Sequence, residues 1–400
     1  MAGIPRLREY SGPALLSYGF RPFFLMGAIY AALAVLVWLA LFSGRIELPS
    51  VFIPRDWHVH EMLYGFVPAV VTGFLLTAIP NWTGRLPIQG LPLLALLGTW
   101  IAGRAAVLLS SSIGWIATAA IDVAFLVLVA SAAAREIVVG SNWRNLKVVS
   151  IVSLLAAGNL LFHLEAHFNG SADYAIRLGI GTMVLLISLV GGRVVPSFTR
   201  NWLARRDSAR QAAGRLPRPF ERFDAITIAV SAVALVLWIA APFERATGLL
   251  LIFAGLMQLV RLTRWAGDRT VGDRLVLVLH VGYAFVPLGF FLVGGAALGL
   301  VPPGAGIHAW TGGAVAVMML AVMTRATLGH TGRDLIASAG TQVVYAAALV
   351  AALTRICAAM HPERADVLLS ISGAAWTGAF LGFAVLYGPM LCSGRGPRAA

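Results

Sequence analysis

The sequence is poor in charged residues and in cysteine. Asp, Glu, Lys and Arg make up 12% of the 400 residues, and hydrophobic residues make up 59%. Soluble domains carry about 25% charged residues, so the composition excludes a soluble enzyme and predicts an integral membrane protein. Two cysteines, Cys357 and Cys392, cannot build a disulfide framework. The Cys-x-x-Cys-His motif is absent, which excludes covalent attachment of a c-type haem.

Lysine is also nearly absent. Lys147 is the single lysine, so the formal net charge of +13 comes from arginine. The arginines lie between apolar segments rather than along one surface, and we therefore predict no nucleic-acid partner. The lipid bilayer is the expected environment of the chain.

Twelve apolar stretches are long enough to cross a bilayer, since a transmembrane helix needs about 20 mostly apolar residues. They leave no room for a soluble domain. We predict an all-α integral membrane protein that forms one polytopic domain over residues 1–400. The first span is too long for a signal-peptide core, and we interpret it as an uncleaved anchor. The predicted spans cover residues 22–42, 57–79, 91–109, 113–133, 146–167, 173–196, 224–241, 246–265, 275–298, 306–326, 335–356 and 366–391.

Arginines concentrate in alternate connections between the spans. The positive-inside rule therefore places both termini in the cytoplasm. The longest connection, residues 197–223, is rich in arginine and is predicted to be a cytoplasmic loop. This loop could serve as a lipid or partner site, but a solvated determinant of topology is the interpretation we favour.

Predicted helices 2 and 10 resemble each other. Each runs 25 positions from a histidine to an arginine, from His60 to Arg85 and from His308 to Arg333, and each ends in Thr-Gly-Arg. Helix 6 fits the same frame without gaps. These helices are four spans apart, which predicts three pseudo-symmetric units of four helices.

Most of the eight histidines fall at one side of the predicted bundle. Ionisable groups at membrane depth are costly and persist mainly where they bind, pair or conduct. A single histidine in a membrane is more often a hydrogen-bonding group between helices than a ligand, but the clustering of five predicts at least one metal centre. Those at the outer ends of predicted helices are His58, His60, His163, His167 and His308, whereas His361 lies in an outer loop and His280 and His330 lie toward the cytoplasm.

The spacing of these histidines limits their roles. His163 and His167 are four residues apart, so they share one helix face and can chelate one metal ion. His58 and His60 are two residues apart and point to different sides of helix 2, where they can serve two centres. Imidazole suits iron, copper and zinc, so the ligands do not name the metal. His280 is a weaker candidate, with a supporting or proton-relay role.

Several charged residues accompany the histidines. Glu61 can orient a ligating imidazole, carry a proton to a reaction, or act as an acid in the first helical turn after Asp56, the predicted N-cap. Arg104 and Asp122 lie at similar depth on adjacent helices, and an ion pair between them is the interpretation we favour. The alternative assigns Arg104, Arg177 or Arg55 to haem propionates, because guanidinium pairs well with carboxylate.

The predicted arrangement of twelve helices resembles that of the haem-copper oxidase superfamily, in which helices 2, 6 and 10 contribute metal ligands. There, twelve helices form three arcs of four, and a His-x-His motif on helix 10 ligates two haems. The resemblance implies that His60 and His308, at matching repeat positions, are the axial ligands of a non-covalent b-type haem. It leaves His58, His163 and His167 for a second haem or a copper ion.

Longer motifs are similar to those of the NnrS family. They are Phe20-Arg21-Pro22-Phe23-Phe24-Leu25, His58-Val59-His60-Glu61-Met62 with Gly65, Gly73-Phe74-Leu75-Leu76-Thr77-Ala78, Pro80-Asn81-Trp82-Thr83-Gly84, Gly191-Gly192-Arg193 with Pro196 and Thr199, and Val322-Met323-Thr324-Arg325 leading to Gly329-His330-Thr331-Gly332-Arg333. The resemblance covers nearly the whole chain. It implies a bacterial inner-membrane protein that contains haem and copper and is linked to denitrification and to protection against nitric oxide and nitrosative stress.

Three functions compete at this point. The first is a redox protein that binds nitric oxide and reduces it as a nitric oxide reductase-type oxidoreductase, with Glu61 as proton donor and an unidentified electron donor. The second is a protein that binds or senses nitric oxide without turnover. The third is a secondary transporter, which twelve spans and parallel repeats also suit, and an assembly role is a further alternative.

Overall fold

The computed structural model describes residues 10–394 apart from residues 211–213, together with the side chains in that range other than those of residues 208–210. The described residues form helices and contain no strand. Twelve helices are long and apolar enough to cross a membrane, so the predicted all-α, twelve-span fold is confirmed. We number these helices α1 Phe20–Phe42, α2 Pro54–Thr83, α3 Leu91–Leu108, α4 Trp115–Val139, α5 Trp143–Asn169, α6 Asp173–Asp207, α7 Arg222–Ala240, α8 Arg245–Thr263, α9 Arg274–Ala297, α10 Pro303–His330, α11 Ala339–Met360 and α12 Pro362–Cys392.

The start of α2 differs from the prediction. The N-cap is Ile53 and the helix begins at Pro54, so the assignment of Asp56 as N-cap is wrong. Proline is preorganised for the first helical position and lacks the N–H that would be unpaired there, which moves the start upstream. The Asp56 carboxylate, 1% exposed, instead accepts hydrogen bonds from the Ala172 backbone N–H at 3.1 Å and from Arg55 Nε at 2.7 Å.

The end of α6 also differs from the prediction. Beyond Asp207, where the α6 span ends, the backbone stays helical to Arg210, so the first part of the predicted 197–223 loop is helical. Pro196 lies inside this helix without ending it. The residues after position 196 are mostly polar, so the apolar stretch ends there, but the helix continues through them. The span is therefore longer than its hydrophobic segment.

Glycine ends two of the helices beside the candidate site. Gly84 after α2 has φ 72° and Gly170 after α5 has φ 74°. This left-handed conformation costs glycine nothing because it has no Cβ, and it lets the backbone turn away from the helix axis.

Three helices contain a π-helical segment. These segments are Glu61–Phe66 in α2, Ile187–Gly191 in α6 and Ala309–Val315 in α10. The first and third occupy the same positions of the predicted repeat, directly after His60 and His308, whereas the segment in α6 lies further along the frame. Such segments are rare and occur frequently at functional sites.

The chain divides into two compact units by its internal contacts. The first comprises the residues up to Gly179, Ala326–Asp334 and the chain from Phe380 onward, and the second comprises Ile180–Arg325 and Leu335–Ala379. In the first unit, α1 packs on α2, and α4 packs on both α3 and α5. In the second unit, α8 packs on both α7 and α9. The three four-helix units remain a prediction.

Candidate metal centre

Three potential ligands converge inside the first unit. They are His60 on α2, Asp122 on α4 and His163 on α5, which are 0%, 1% and 2% exposed. The Asp122 Oδ2 atom lies 3.1 Å from His60 Nε2 and 3.0 Å from His163 Nε2. One donor atom from each residue lies within 4.8 Å of the others. Two imidazoles and one carboxylate therefore meet at one buried point.

A buried arginine holds the two carboxylates of this region. Arg104 on α3 donates from Nη1 to Glu61 Oε1 at 2.7 Å and from Nη2 to Asp122 Oδ1, which confirms the predicted ion pair between Arg104 and Asp122. The Glu61 Oε1 atom also lies 2.8 Å from His60 Nδ1. A carboxylate on the second ring nitrogen is the usual partner of a metal-ligating histidine.

The π segment of α2 explains how Arg104 reaches so deep. Gly65 lies in that segment, and a Cβ on it would come within 2.5 Å of Arg104 Nη1. The Gly65 carbonyl accepts a hydrogen bond from Trp100 Nε1 at 2.9 Å. Glycine therefore leaves the space that the guanidinium needs between α2 and α3.

The remaining polar partner is Asn159 on α5. Its Nδ2 donates to Asp122 Oδ2 at 2.9 Å, and its Oδ1 lies 3.0 Å from His60 Nε2. Aromatic rings of Phe52 and Phe162 contact the His60 ring, with centroids 5.1 and 4.9 Å away. The polar atoms are thus enclosed by apolar rings, which strengthens electrostatic interactions among them.

With both histidines neutral and both carboxylates ionised, the donors and acceptors of this cluster do not balance. If His60 gives its Nδ1 proton to Glu61, its Nε2 lone pair faces two acceptor oxygens, Asn159 Oδ1 and Asp122 Oδ2. If the Asn159 amide were flipped, its oxygen would face Asp122 Oδ2, and the repulsion between two acceptors would arise there instead. The formal charge is also negative, since Arg104 offsets only one of the carboxylates of Glu61 and Asp122. A metal ion held by His60, Asp122 and His163 would supply the missing positive charge, and so would a proton on His60, which Glu61 and Asp122 would then both accept from.

The family comparison agrees with the fold. The model of the NnrS family, described as NnrS protein, matches residues 14–395. The chain belongs to the NnrS family. Membership of NnrS suggests a membrane protein of the nitric oxide response. No curated protein sequence matches the chain at a significant level.

In this NnrS protein, two of the predicted ligands lie apart from the cluster. The His167 ring stacks on Trp115 with centroids 4.2 Å apart, although His163 lies one turn away on the same helix. The His58 ring stacks on Trp38, also at 4.2 Å. The structure therefore brings His60 and His163 together but leaves His58 and His167 against tryptophans.

The other predicted haem and metal ligands lie in the second unit. His308 is half-buried at the last residue of the helical turn Pro303–His308, directly before the π segment of α10. His280 is buried, and its Nε2 lies 2.8 Å from Thr199 Oγ1. In the first unit, both ring nitrogens of His60 already have polar partners, so a haem iron on His60 would replace one of them. The His60–His308 haem pair stays a prediction.

The three arginines considered for haem propionates have other contacts. Arg55 pairs with Asp56 at 2.7 Å and with Asp173 at 3.1 Å. The Arg177 guanidinium lies over the Tyr174 ring, 4.7 Å from its centroid. Arg104 contacts the carboxylates of Glu61 and Asp122. The assignment of these three arginines to haem propionates stays a prediction.

Sequence reasoning missed Asp122 and Asn159 as parts of this site. The sequence suggested Asp122 only as an ion-pair partner of Arg104. Its Oδ1 atom does face Arg104, but its Oδ2 atom faces the two histidines. The signal that could have found it is depth, since Arg104, Asp122 and His163 lie at the same level of three predicted spans. Asn159 carries no charge and gave no such signal.

A second buried arginine was missed entirely. Arg261 on α8 is 0% exposed and donates from Nε to Asp224 Oδ1 at 2.9 Å and from Nη1 to the Ser188 carbonyl at 2.8 Å. Its Nη1 also donates to Tyr283 Oη at 3.0 Å, and Tyr283 donates to Gln258 Oε1 at 2.8 Å. We call these five residues the Arg261 cluster, and His60, Glu61, Arg104, Asp122, Asn159 and His163 the His60 cluster.

Proposed function

We propose that this NnrS-family protein is a membrane redox metalloprotein that binds nitric oxide at the His60 cluster and reduces it. The observation that carries the proposal is the convergence of His60, Asp122 and His163 on one buried point. Family membership supports a role in the nitric oxide response.

We assign a copper ion to the three ligands. Two imidazole nitrogens suit copper, and the NnrS resemblance implies copper in addition to haem. Two histidines with one carboxylate also suit non-haem iron(II), which makes metal analysis part of the test. When bound, the metal supplies an open coordination position at which nitric oxide is polarised and electrons are delivered.

The protein residues around the ligands have separate tasks. Glu61 Oε1 lies 2.8 Å from His60 Nδ1, and a proton held between them would leave Nε2 free to bind a metal. Arg104 holds Glu61 and Asp122 in place through one guanidinium. Glu61 Oε2 is buried and has no hydrogen-bond partner among the described residues, so it is the oxygen that can carry a proton to bound substrate.

Burial of the site suits this substrate. Nitric oxide is small and uncharged and dissolves in the apolar part of a membrane, so it needs no aqueous channel. Exclusion of water strengthens the electrostatic interactions of the site. The overall reaction is 2 NO + 2 e⁻ + 2 H⁺ → N₂O + H₂O, and it requires an external electron donor. His308 would hold a b-type haem, which would supply electrons, and the bacterial inner membrane is the proposed location.

The test begins with the full-length protein purified in detergent after expression with haem and copper supplementation. Iron and copper are measured on the sample, and optical and electron paramagnetic resonance spectra are recorded before and after nitric oxide is added. Nitric oxide consumption is then followed with an electrode in the presence of a chemical reductant.

We expect stoichiometric metal, a spectral change on nitric oxide addition, and consumption that exceeds the rate with reductant alone. Binding without consumption would identify a nitric oxide-binding protein with no turnover. A protein without iron or copper would overturn the proposal and favour a transporter, in which the buried histidines would serve a proton or substrate path.

A further inference from the structure

A cavity lies at the end of α6, separate from the His60 cluster. It has a volume of about 290 Å³ and is lined by Trp202, Arg205, Arg206, Asp273, Arg325 and Leu335. Three guanidinium groups and one carboxylate thus surround one space within the second unit. We propose that this cavity binds the phosphate group of a small phosphate ester.

The length of α6 places the cavity outside the membrane core. The span Asp173–Asp207 has 35 residues, which corresponds to about 50 Å at the helical rise of about 1.5 Å per residue. The hydrocarbon core is about 30 Å thick, so the last turns, which carry Trp202, Arg205 and Arg206, extend beyond it. The positive-inside rule predicts that this end is cytoplasmic.

Arg325 is the strongest indication that the cavity suits an anion. It is 9% exposed, and its buried Nη1 donates no hydrogen bond to any described residue. None of the ion pairs formed by described residues includes Arg325, whose guanidinium lies 4.2 Å from the centroid of the Phe198 ring. A buried cation without a carboxylate partner is costly, and a bound anion would offset that cost.

The carboxylate in the cavity wall is already used elsewhere. Asp273 is the N-cap of α9, and its Oδ1 accepts from the backbone N–H groups of Leu275 and Val276 at 2.9 and 3.3 Å. Arg206 lies over the Trp202 ring at 4.8 Å and pairs at 3.1 Å with Asp207, which fixes its position at the rim. Asp273 still contributes a negative charge near Arg325, but the three arginines outnumber this one lining carboxylate and leave the cavity positive.

The chemistry and size of the cavity select the ligand class. Guanidinium groups match phosphate oxygens in pairs of hydrogen bonds, and a phosphate monoester carries up to two negative charges. Ligand pockets have volumes of about 300–1,000 Å³, so this cavity lies at the lower end of that range. Inorganic phosphate would leave most of the space empty, whereas a phosphate on a glycerol-sized group would fill more of it.

Calorimetric titration of the full-length protein in detergent tests this proposal. The probes are glycerol 3-phosphate, inorganic phosphate and glycerol. We expect saturable binding of glycerol 3-phosphate, weaker binding of inorganic phosphate and no binding of glycerol. Arg325→Gln and Arg205→Gln should each weaken binding by about tenfold, the usual effect of losing one hydrogen bond to a charged group.

The matched control is Arg215→Gln. Arg215 is an exposed arginine of the same basic region, where it pairs with Asp268 at 2.5 Å outside the cavity, and its loss should leave binding unchanged. If Arg325→Gln does not fold, Arg205→Gln keeps the test intact, because Arg205 is exposed and its Nε bonds the Asn201 carbonyl of its own helix. Absence of phosphate ester binding, or equal binding by all variants, would overturn the proposal.

A second arm distinguishes a lipid headgroup from a soluble ester. The protein is reconstituted in vesicles of phosphatidylcholine alone or with phosphatidylglycerol, and thermal unfolding is measured. Stabilisation by phosphatidylglycerol that Arg205→Gln and Arg325→Gln abolish would assign the site to a lipid headgroup. Undiminished binding of glycerol 3-phosphate in phosphatidylglycerol vesicles would assign it to a soluble ester, and both results support the phosphate site.

Discussion

Each of the two units buries one arginine beside a glycine and a π-helical segment. Arg104 lies against Gly65 of the π segment Glu61–Phe66, and Arg261 lies against Gly192, directly after the π segment Ile187–Gly191. Both arginines pair with an aspartate on a neighbouring helix, Asp122 and Asp224. Burial, arginine and π geometry are therefore common to both clusters and do not by themselves mark a metal site.

The two clusters differ in charge and in ligand type. Arg104 faces two carboxylates, whereas in the Arg261 cluster one arginine faces one carboxylate, Asp224, and neutral groups complete the contacts. Among the described residues, two histidines meet a carboxylate only in the His60 cluster. The difference teaches that two carboxylates on one arginine, together with two imidazoles, set the His60 cluster apart from the Arg261 cluster.

The largest expected effect is on metal content. His163→Ala removes one of three ligands, so we expect loss of the bound metal and of the nitric oxide signal, measured by metal analysis and spectroscopy. His167→Ala, one turn away on α5, removes an imidazole that contacts the Trp115 and Phe168 rings, and this variant should keep both the metal and the signal. Equal metal content in the two variants would contradict the proposed difference between His163 and His167.

The two arginines should differ in their effect on stability. Arg104→Met leaves Glu61 and Asp122 buried without their cation, so we expect destabilisation by about 3–5 kcal/mol. Arg261→Met should lower stability by about 1–3 kcal/mol. The loss is smaller because Asp224 Oδ2 still accepts a hydrogen bond from the Glu221 backbone N–H at 3.0 Å and still pairs with Arg264 at 3.6 Å. Thermal unfolding in detergent compares them, and a larger loss from Arg261→Met would contradict the charge argument.

The two glycines allow a smaller and more local test. A methyl group at Gly65 would displace Arg104, and one at Gly192 would displace Arg261. We expect Gly65→Ala and Gly192→Ala each to destabilise the protein by about 1–3 kcal/mol. Only Gly65→Ala should lower metal affinity, which a competition titration with a chelator measures. Reduced affinity in Gly192→Ala would mean that the clusters are coupled.

The smallest effect is expected from Tyr283→Phe. This change removes the hydroxyl between Arg261 and Gln258 and should cost about 1 kcal/mol. Metal content and nitric oxide binding should stay at the level of the unmodified protein in the same assays. A loss of metal in this variant would show that the Arg261 cluster takes part in the site after all.

Much of the fold could be predicted because it depends on local composition. Twelve apolar stretches of sufficient length predict twelve spans, and the motifs from Phe20 to Arg333 predict the NnrS family. The failures lie at helix ends. Asp56 looked like an N-cap although Pro54 begins the helix, and residues 197–210 looked like a loop because they are polar.

The site could be predicted only in part. His60, His163, Glu61 and Arg104 were candidates because ionisable groups in a membrane span are costly and retained for a reason. Their partners are up to about a hundred residues away along the chain, as with His60 and Asn159, so spacing along one helix could not select them. The same reasoning favoured His167 with His163, since they share a helix face, but the structure turns His167 onto Trp115.

The sequence by itself determined that this chain spans a membrane, how many helices it forms and which family it belongs to, because these properties follow from the order of apolar and polar residues. Only the tertiary structure decided which buried groups meet. It placed Asp122 between two histidines and left Arg325 Nη1 without a hydrogen-bond partner among the described residues. Such contacts join helices that are distant in sequence, and they depend on packing geometry that no local pattern records.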